Sequence, residues 1–487
     1  MAGRTLDFAE YIGTPDVLAN AIGNKYLEWA NQRRSWVEDK KELRNYVFAT
    51  DTTKTSNATL PWKNSTTTPK LCQIRDNLHA NYMAALFPND DWLLWEGDDE
   101  DAEAEEKRKV ISSYIKNKLR YGNFINIVST MVYDFIDYGN VIGTTEYVNE
   151  TRIDEETGEV YPGYVGPRAV RLSPYDVLIN PVATSIDNSP KLIRYIKSLG
   201  EVAADIEDHP EMGYLSEVFN DIVTVRQNVS GLSTHDVDKA EGFTIDGFGS
   251  IFEYYQSDYV ELLEFHGDIY DTSTKTLLKN RIITIADRQR VIRNVANPSW
   301  RGQSIRHAGW RLRPDNLYAM GPLDNLVGMQ YRIDHLENLK ADVFDMIAHP
   351  IAKVQGFVED FSFGPGEKIY VGEDGNVEFM RPDTTALNAD TQIAILENKM
   401  EEMAGAPRQA MGIRTPGEKT AFEVQTLDNA SSRVFMNKVS YFERNFLEPL
   451  INDMLELARR NMEISDVVRV VDDEFGAALF ETITPED

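Results

Sequence analysis

The residues best spaced for chemistry form the stretch Gly412-Ile413-Arg414-Thr415-Pro416-Gly417-Glu418-Lys419-Thr420. A phosphate-binding loop of the form GxxxxGK[ST] cradles phosphates in backbone N–H groups and a lysine at the start of a helix. Here Glu418 stands between Gly417 and Lys419, and a carboxylate at that point repels phosphate. No hydrophobic strand precedes the loop, so we expect no nucleotide there. Gly247-Phe248-Gly249 lacks the third glycine and the following helix of a dinucleotide fingerprint. His79, His209, His235, His266, His307, His335 and His349 show no HxxxH or HExxH spacing, and there is no cysteine cluster to complete a metal site. The acidic run Asp98–Glu106 reads as a solvated helix start, where carboxylates face the positive end of the dipole, rather than as a metal site. No GxSxG occurs. The expectation is a non-enzymatic protein with no cofactor and no metal.

What remains is a local basic loop. Residues 406–419 carry Arg408, Gln409, Arg414 and Lys419 on a chain whose 79 acidic residues outnumber 50 basic ones, for a net charge of −29. A protein that grips nucleic acid by counterion release needs basic surface. The chain as a whole repels DNA, which disfavours a tight binder but suits a weakly interacting conduit. Two readings of the loop stay open: contact with phosphates, or salt bridges to acidic helices and neighbouring subunits.

Composition bounds the rest. With 42% hydrophobic and 26% charged residues the chain folds, and its 487 residues are enough for two to four structural units. The lone cysteine, Cys72, excludes an internal disulfide and fits a reducing compartment. No apolar run approaches the length of a membrane span. The start, MAGRTLDFAEYIG, lacks the apolar core of a signal peptide, so synthesis in the cytosol is expected. The N-x-S/T triplets at Asn57, Asn64, Asn149, Asn228 and Asn429 then carry little weight.

The element on which the chain is organised follows the basic loop. Thr420 is a good N-cap with Glu423 three residues later, a capping box. Leu427, Ala430, Val434, Phe442, Phe446, Leu450, Met454 and Ala458 mark one helical face to Asn461. At about 1.5 Å per residue this helix spans roughly 60 Å, longer than one small domain covers. Pro449 lies inside it, where a kink is expected.

Upstream, Thr14-Pro15 opens a helix to about Phe48. A Thr-rich loop, 51–70, leads to a helix from Leu71 to Phe87. Trp92 and Trp95 suggest a short strand. Helices over 103–120 and 124–138 end at Gly139, and Asp137-Tyr138-Gly139-Asn140 turns into a strand. Glu155-Glu156-Thr157-Gly158 closes a hairpin, with strand-like segments to Pro181. A strand over 191–199 and one or two helices in 201–220 follow. Residues 228–250 read as a loop. Three strands then fill 250–295, with Tyr254, Tyr255, Tyr259, Phe265 and Tyr270 packing a sheet face.

A helix from Gly321-Pro322 to Ala348 carries the apolar stripe Leu323, Leu326, Val327, Ile333, Leu336, Val343 and Ile347. Asp334, Glu337, Asp342 and Asp345 lie on its other side. A β insert follows, with one strand from Ile351 and a hairpin around Glu373-Asp374-Gly375-Asn376. Asn388 caps a second helix, 389–404, with Ile393, Leu396, Met400 and Met403 on one side. Residues 467–471 and 477–482 read as short strands or an extended tail. The fold class is α+β, mainly helical.

This order resembles the portal (head-to-tail connector) proteins of short-tailed bacteriophages of the podovirus type. The stretches that carry it are the N-terminal helix followed by Leu60-Pro61-Trp62, the helix ending Ala84-Ala85-Leu86-Phe87-Pro88 before Trp92, and Asp137-Tyr138-Gly139-Asn140 with its strand. Last comes helix, β insert, helix, loop, Lys419-Thr420-Ala421-Phe422-Glu423 and the long helix. The likeness spans about 15–463. It implies a wing over 1–321, stem helices over 322–348 and 387–405, and a clip over 349–386. It also implies a tunnel loop over 406–419, a wing helix over 420–448, and crown plus tail over 449–487.

By the same resemblance the chain forms a homo-oligomeric ring, usually a dodecamer, at one capsid vertex of the virion. It is made in the host bacterial cytoplasm and packages and ejects double-stranded DNA. Its partners are the terminase large subunit, then a tail adaptor, with major capsid and scaffolding proteins and no membrane. Arg408, Gln409, Arg414 and Lys419 would line the tunnel loop. Asp334, Glu337, Asp342 and Asp345 would face the channel. Phe357, Phe361, Phe363, Glu373 and Asp374 would lie in the docking clip. The alternatives are another connector or adaptor ring of a phage, and a nucleotide-dependent enzyme using 412–420.

Overall fold

Three runs rich in β-branched and aromatic residues, Tyr259–Asp271, Thr276–Ala286 and Arg290–Ala296, pair antiparallel in sequence order in a computed structural model of the protein. The structure describes residues 6–7, 15–48, 52–59, 64–89, 92–93, 102–150, 152–153, 157, 160–161, 163–180, 183, 185–187, 189–227, 258–271, 275–299, 304–314, 316–356, 369–380, 384–404, 433–462, 466–471 and 478–483. They form a mixture of helix and sheet, as the α+β class requires. Among them no helix is long and apolar enough to cross a membrane.

The chain divides into two compact units. One comprises residues 1–37, 83–321 and 439–487; the other comprises 38–82 and 322–438. The expected wing segment 1–321 contributes residues to both units. Residues 38–82 join the second unit, and the last part of the long helix joins the first.

In the first unit the three strands continue through Lys191–Ser198 to Val177–Ile179, and Leu6–Asp7 pairs in parallel with the longest strand. Side chains alternate between faces along each strand. Leu263 and Phe265, opposite Ile285 and Ile283, pack under Leu18, Ile22, Tyr26 and Trp29 of the helix Pro15–Gln32. Val260 and Leu262 face the other way, under Val202 and Ile222 of the helices Leu199–Asp208 and Ser216–Gln227. Glu261, fully buried, receives Arg288 at 2.7 Å and Arg194 at 2.9 Å. Of the aromatic residues expected on this sheet, Phe265 is core, whereas Tyr259 and Tyr270 stand in solvent near the strand's ends. Tyr254 and Tyr255 lie outside the described residues. The single helix expected to Phe48 is two, Pro15–Gln32 and Arg34–Phe48. The break falls at Arg33, whose buried guanidinium donates to the carbonyls of Pro174, Tyr175 and Val177.

A second sheet centres on Asn140–Asn149, flanked by Val165–Leu172 and by Arg306–Gly309, a strand the sequence did not reveal. The expected turn before it is present. Gly139 has φ +68°, and a Cβ there would lie 2.3 Å from the Gly321 nitrogen, so only glycine fits. The Asn140 side chain then closes the turn. Its amide donates to the carbonyls of Tyr138 and Ala319, and its oxygen accepts from the Ala319 nitrogen. Asp134, on the helix Phe124–Asp137, holds Arg171 at 2.5 and 2.7 Å. Trp92 forms no strand. It packs edge-on against Phe87 and stacks with Phe124, while Trp95 lies outside the described residues.

The long helix is described from residue 433. It passes through a π-turn, Glu443–Leu447, into Glu448–Asn461. Proline lacks an N–H and crowds the carbonyl four residues earlier; a widened turn just before Pro449 relieves both problems. Phe442, Phe446, Leu450, Met454 and Ala458 are buried as the periodicity requires, whereas Val434 is exposed. Phe446 reaches the space that Gly143 leaves by lacking a Cβ. The closing strands Asp466–Val471 and Ala478–Ile483 pair antiparallel, and Ile483 packs with Val110, Tyr114 and Ala458.

In the second unit the helix Val327–Ala348 follows a short turn, Asp324–Leu326. Leu323, Leu326, Ile333 and Val343 are buried, but Ile347 at the far end of the stripe is exposed. On the helix Asp390–Ala404, Ile393 and Met400 are buried and Met403 is not. Between these helices Asn376–Met380 pairs with Ile351–Gln355, residue for residue. The β insert is thus closed by its first and last strands rather than by a hairpin confined to 368–380. Gly356 permits this with φ +76° against the Asp374 carbonyl.

Candidate functional site

The helix Val327–Ala348 carries Gln330, Asp334, Asn338 and Asp342 at intervals of four, which aligns them on one face. Against this face lies segment 64–71 of the same unit, irregular to Pro69 and helical from Lys70. The Asp342 carboxylate accepts from the Asn64 backbone nitrogen (2.9 Å) and its side-chain amide (2.7 Å), and Asp345 accepts from that amide at 2.9 Å. Asn338 mimics a neighbouring strand: it accepts from the Thr66 nitrogen at 3.0 Å and donates to the Thr66 carbonyl at 2.8 Å. Asp334 accepts from the Thr67 hydroxyl (2.6 Å), the Thr68 nitrogen (3.0 Å) and the Gln330 amide (2.9 Å). Gln330 also donates to the Thr68 carbonyl and accepts from the Leu71 nitrogen. A segment with few apolar side chains is therefore held through backbone groups of Asn64, Thr66, Thr68 and Leu71, which find partners on the helix.

The four acidic residues expected to face a channel have different surroundings within the chain. Asp334 is fully buried, and burial raises its carboxyl above the usual range against the hydrogen bonds from Thr67, Thr68 and Gln330. Asp342 and Asp345 are turned to Asn64. Glu337 is half-buried and pairs at 3.2 Å with Lys340, which also reaches Asp390 at 2.7 Å and so ties the two helices together. Asp334, Asp342 and Asp345 thus anchor the chain's own segment, and Glu337 does not. Gln330, Asn338, Asn64 and Thr66–Thr68 were missed in the sequence. The interval of four shared by two amides and two carboxylates was the signal, beside a Thr/Asn-rich segment with no core of its own.

A buried ion pair closes the arrangement. Lys70 at the start of the helix Lys70–Leu86 contacts Glu401 of Asp390–Ala404 at 2.6 Å, with both side chains buried. Glu373 and Asp374 sit in the exposed turn before the strand Asn376–Met380. Arg408, Gln409, Arg414 and Lys419, like Phe357, Phe361 and Phe363, lie outside the described residues.

Among the described residues no group of three His, Cys, Asp or Glu side chains is placed to hold a metal ion. His266 contacts Glu264 at 2.6 Å. Burial lowers the His307 pKa to about 4, and its Nε2 lies 3.0 Å from the Asn140 oxygen. That oxygen already accepts from a backbone N–H, so Nε2 is the ring's donor. These are structural histidines.

The geometry defines a protein of mixed helix and largely antiparallel sheet whose second unit includes two helices flanking a two-stranded ribbon. No protein-family model matches the chain, and no curated protein matches it.

Proposed function

We propose that this chain is a subunit of a phage portal, a ring at one capsid vertex through which double-stranded DNA is packaged and ejected. The observation that carries this reading is the apolar surface of the second unit. Phe344 (53% exposed), Ile351 (61%), Met380 (56%) and Met403 (46%) stand in solvent, with Leu339, Ile347, Val354, Tyr370, Val371, Phe379 and Ile395. An isolated two-stranded ribbon is marginal in water, and a surface this apolar is typical of an interface. Helix, ribbon and helix are the elements that the resemblance assigns to stem and clip, where copies meet and partners dock. Closed rings use such repeated lateral contacts.

In this reading the protein is a non-enzymatic channel and docking ring, with ATP hydrolysis belonging to the terminase. The ribbon region receives terminase first and a tail adaptor later, and 406–419 approaches the DNA. The channel's acidity does not come from Asp334, which serves the fold.

Native mass measurement with negative-stain imaging of the full chain tests the proposal. A closed ring of about a dozen copies with a central hole supports it. Such a ring that fails to bind terminase favours a different connector or adaptor. A monomer that binds ATP, with binding lost in Lys419→Ala, overturns it.

A further inference from the structure

Residues 288–314 contain seven arginines and no aspartate or glutamate, on a chain of net charge −29. Most of the described ones are matched. Arg288 meets Glu261, Arg290 meets Asp221, Arg293 meets Glu264 and Arg306 meets Asp453. Arg311 and Arg313 differ. Both are exposed, and neither has a carboxylate partner among the described residues. Arg311 lies over the Trp310 ring, 5.1 Å from its centroid, which holds the side chain in place.

Their position is as telling as their charge. The strand Arg311–Arg313 pairs on one side with Asn316–Met320, and its other edge is unpaired among the described residues. Between the arginines, Leu312 packs over Gly309 yet remains 48% exposed. An open edge with an apolar residue between two cations suits an acidic partner that adds main-chain hydrogen bonds to charge. Charged residues also guard edges against unwanted pairing. On this chain, however, carboxylates would guard better, because they would repel a second copy at −29, whereas guanidinium groups attract one.

We infer that the edge Arg311–Leu312–Arg313 docks against an acidic surface of a second copy of this chain. The contact is heterologous, a basic edge on one copy meeting an acidic surface on the next, which is the kind that closes rings. It does not rest on the portal reading, since it concerns this edge and not the identity of the assembly.

Sedimentation velocity of the full chain over a salt series tests this, comparing wild type with Arg311→Glu/Arg313→Glu, Arg311→Gln/Arg313→Gln and Arg311→Lys/Arg313→Lys. We expect salt-sensitive association in wild type, weakening of about ten-fold or more in the Glu pair, a smaller loss in the Gln pair and near-retention in the Lys pair. Circular dichroism checks that each variant folds, and the Gln pair carries the test if the Glu pair does not. A wild type that stays monomeric overturns the inference, as does association unchanged by charge reversal. A ring that persists in the Glu pair sinks this contact and leaves the portal reading standing. Unchanged association with lost retention of double-stranded DNA would make the edge a phosphate contact and overturn the inference too.

Discussion

Asn338 shows how one side chain does the work of a strand. Its amide oxygen accepts from the N–H of Thr66 and its amide nitrogen donates to the carbonyl of Thr66. Asn338→Ala leaves these groups to find water, at a cost of roughly 1–3 kcal/mol. The expected readout is faster amide exchange across 64–71 with the helix Val327–Ala348 still protected; exchange that is unchanged would show that the segment is held by something else. His307 carries a pH dependence. The unfolded chain takes up a proton at this residue below about 6.5, whereas the folded chain does so only below about 4. Its depressed pKa therefore contributes stability that is present above about 6.5 and lost as pH falls toward 4, on the order of 3 kcal/mol in all. His307→Gln cannot take up that proton, so its thermal unfolding temperature should fall less than wild type's between neutral pH and pH near 4. Equal falls would count against the buried neutral imidazole.

At the scale of elements, the second unit is joined by polar side chains more than its composition suggests. Lys70 and Glu401 connect two helices far apart in sequence, and both are out of water. Removing one partner strands the other charge in the interior. Glu401→Ala should therefore destabilise by about 3–5 kcal/mol, more than a surface pair would. Chemical denaturation followed by a probe on the second unit reads this, and a loss within a few tenths of a kcal/mol would mean that Lys70 relaxes into solvent. Helices were the most legible elements. Apolar positions three and four apart marked Val327–Ala348 and Glu448–Asn461, and Gly139 marked the end of Phe124–Asp137 and the turn into the second sheet. Arg306–Gly309 was not legible, because a four-residue strand with one arginine and one histidine has no alternation of its own. It becomes a strand by pairing with Asn140–Gly143.

For the whole molecule, the exposed apolar surface of the second unit makes association the expected state. Phe344→Asp combined with Ile351→Asp should leave the helical content intact and shift the native mass toward monomer. Both side chains are already solvent-facing in the single chain, so their loss costs little within it. An assembly that survives this pair of changes would move the interface away from the stem helix and ribbon.

The sequence alone determined the class of the protein: α+β, charged against DNA, with helices and strands placed by apolar periodicity and turns by glycine and proline. Glu418 and the lack of a preceding hydrophobic strand also set the expectation that 412–420 binds no nucleotide. Only the tertiary structure decided what the acidic face of Val327–Ala348 touches. Periodicity reports which side chains share a face, and four carboxylates on one face look the same whether that face meets solvent or another segment. The difference lies in segment 64–71, more than 250 residues away in the chain, whose backbone comes within hydrogen-bonding distance only after folding.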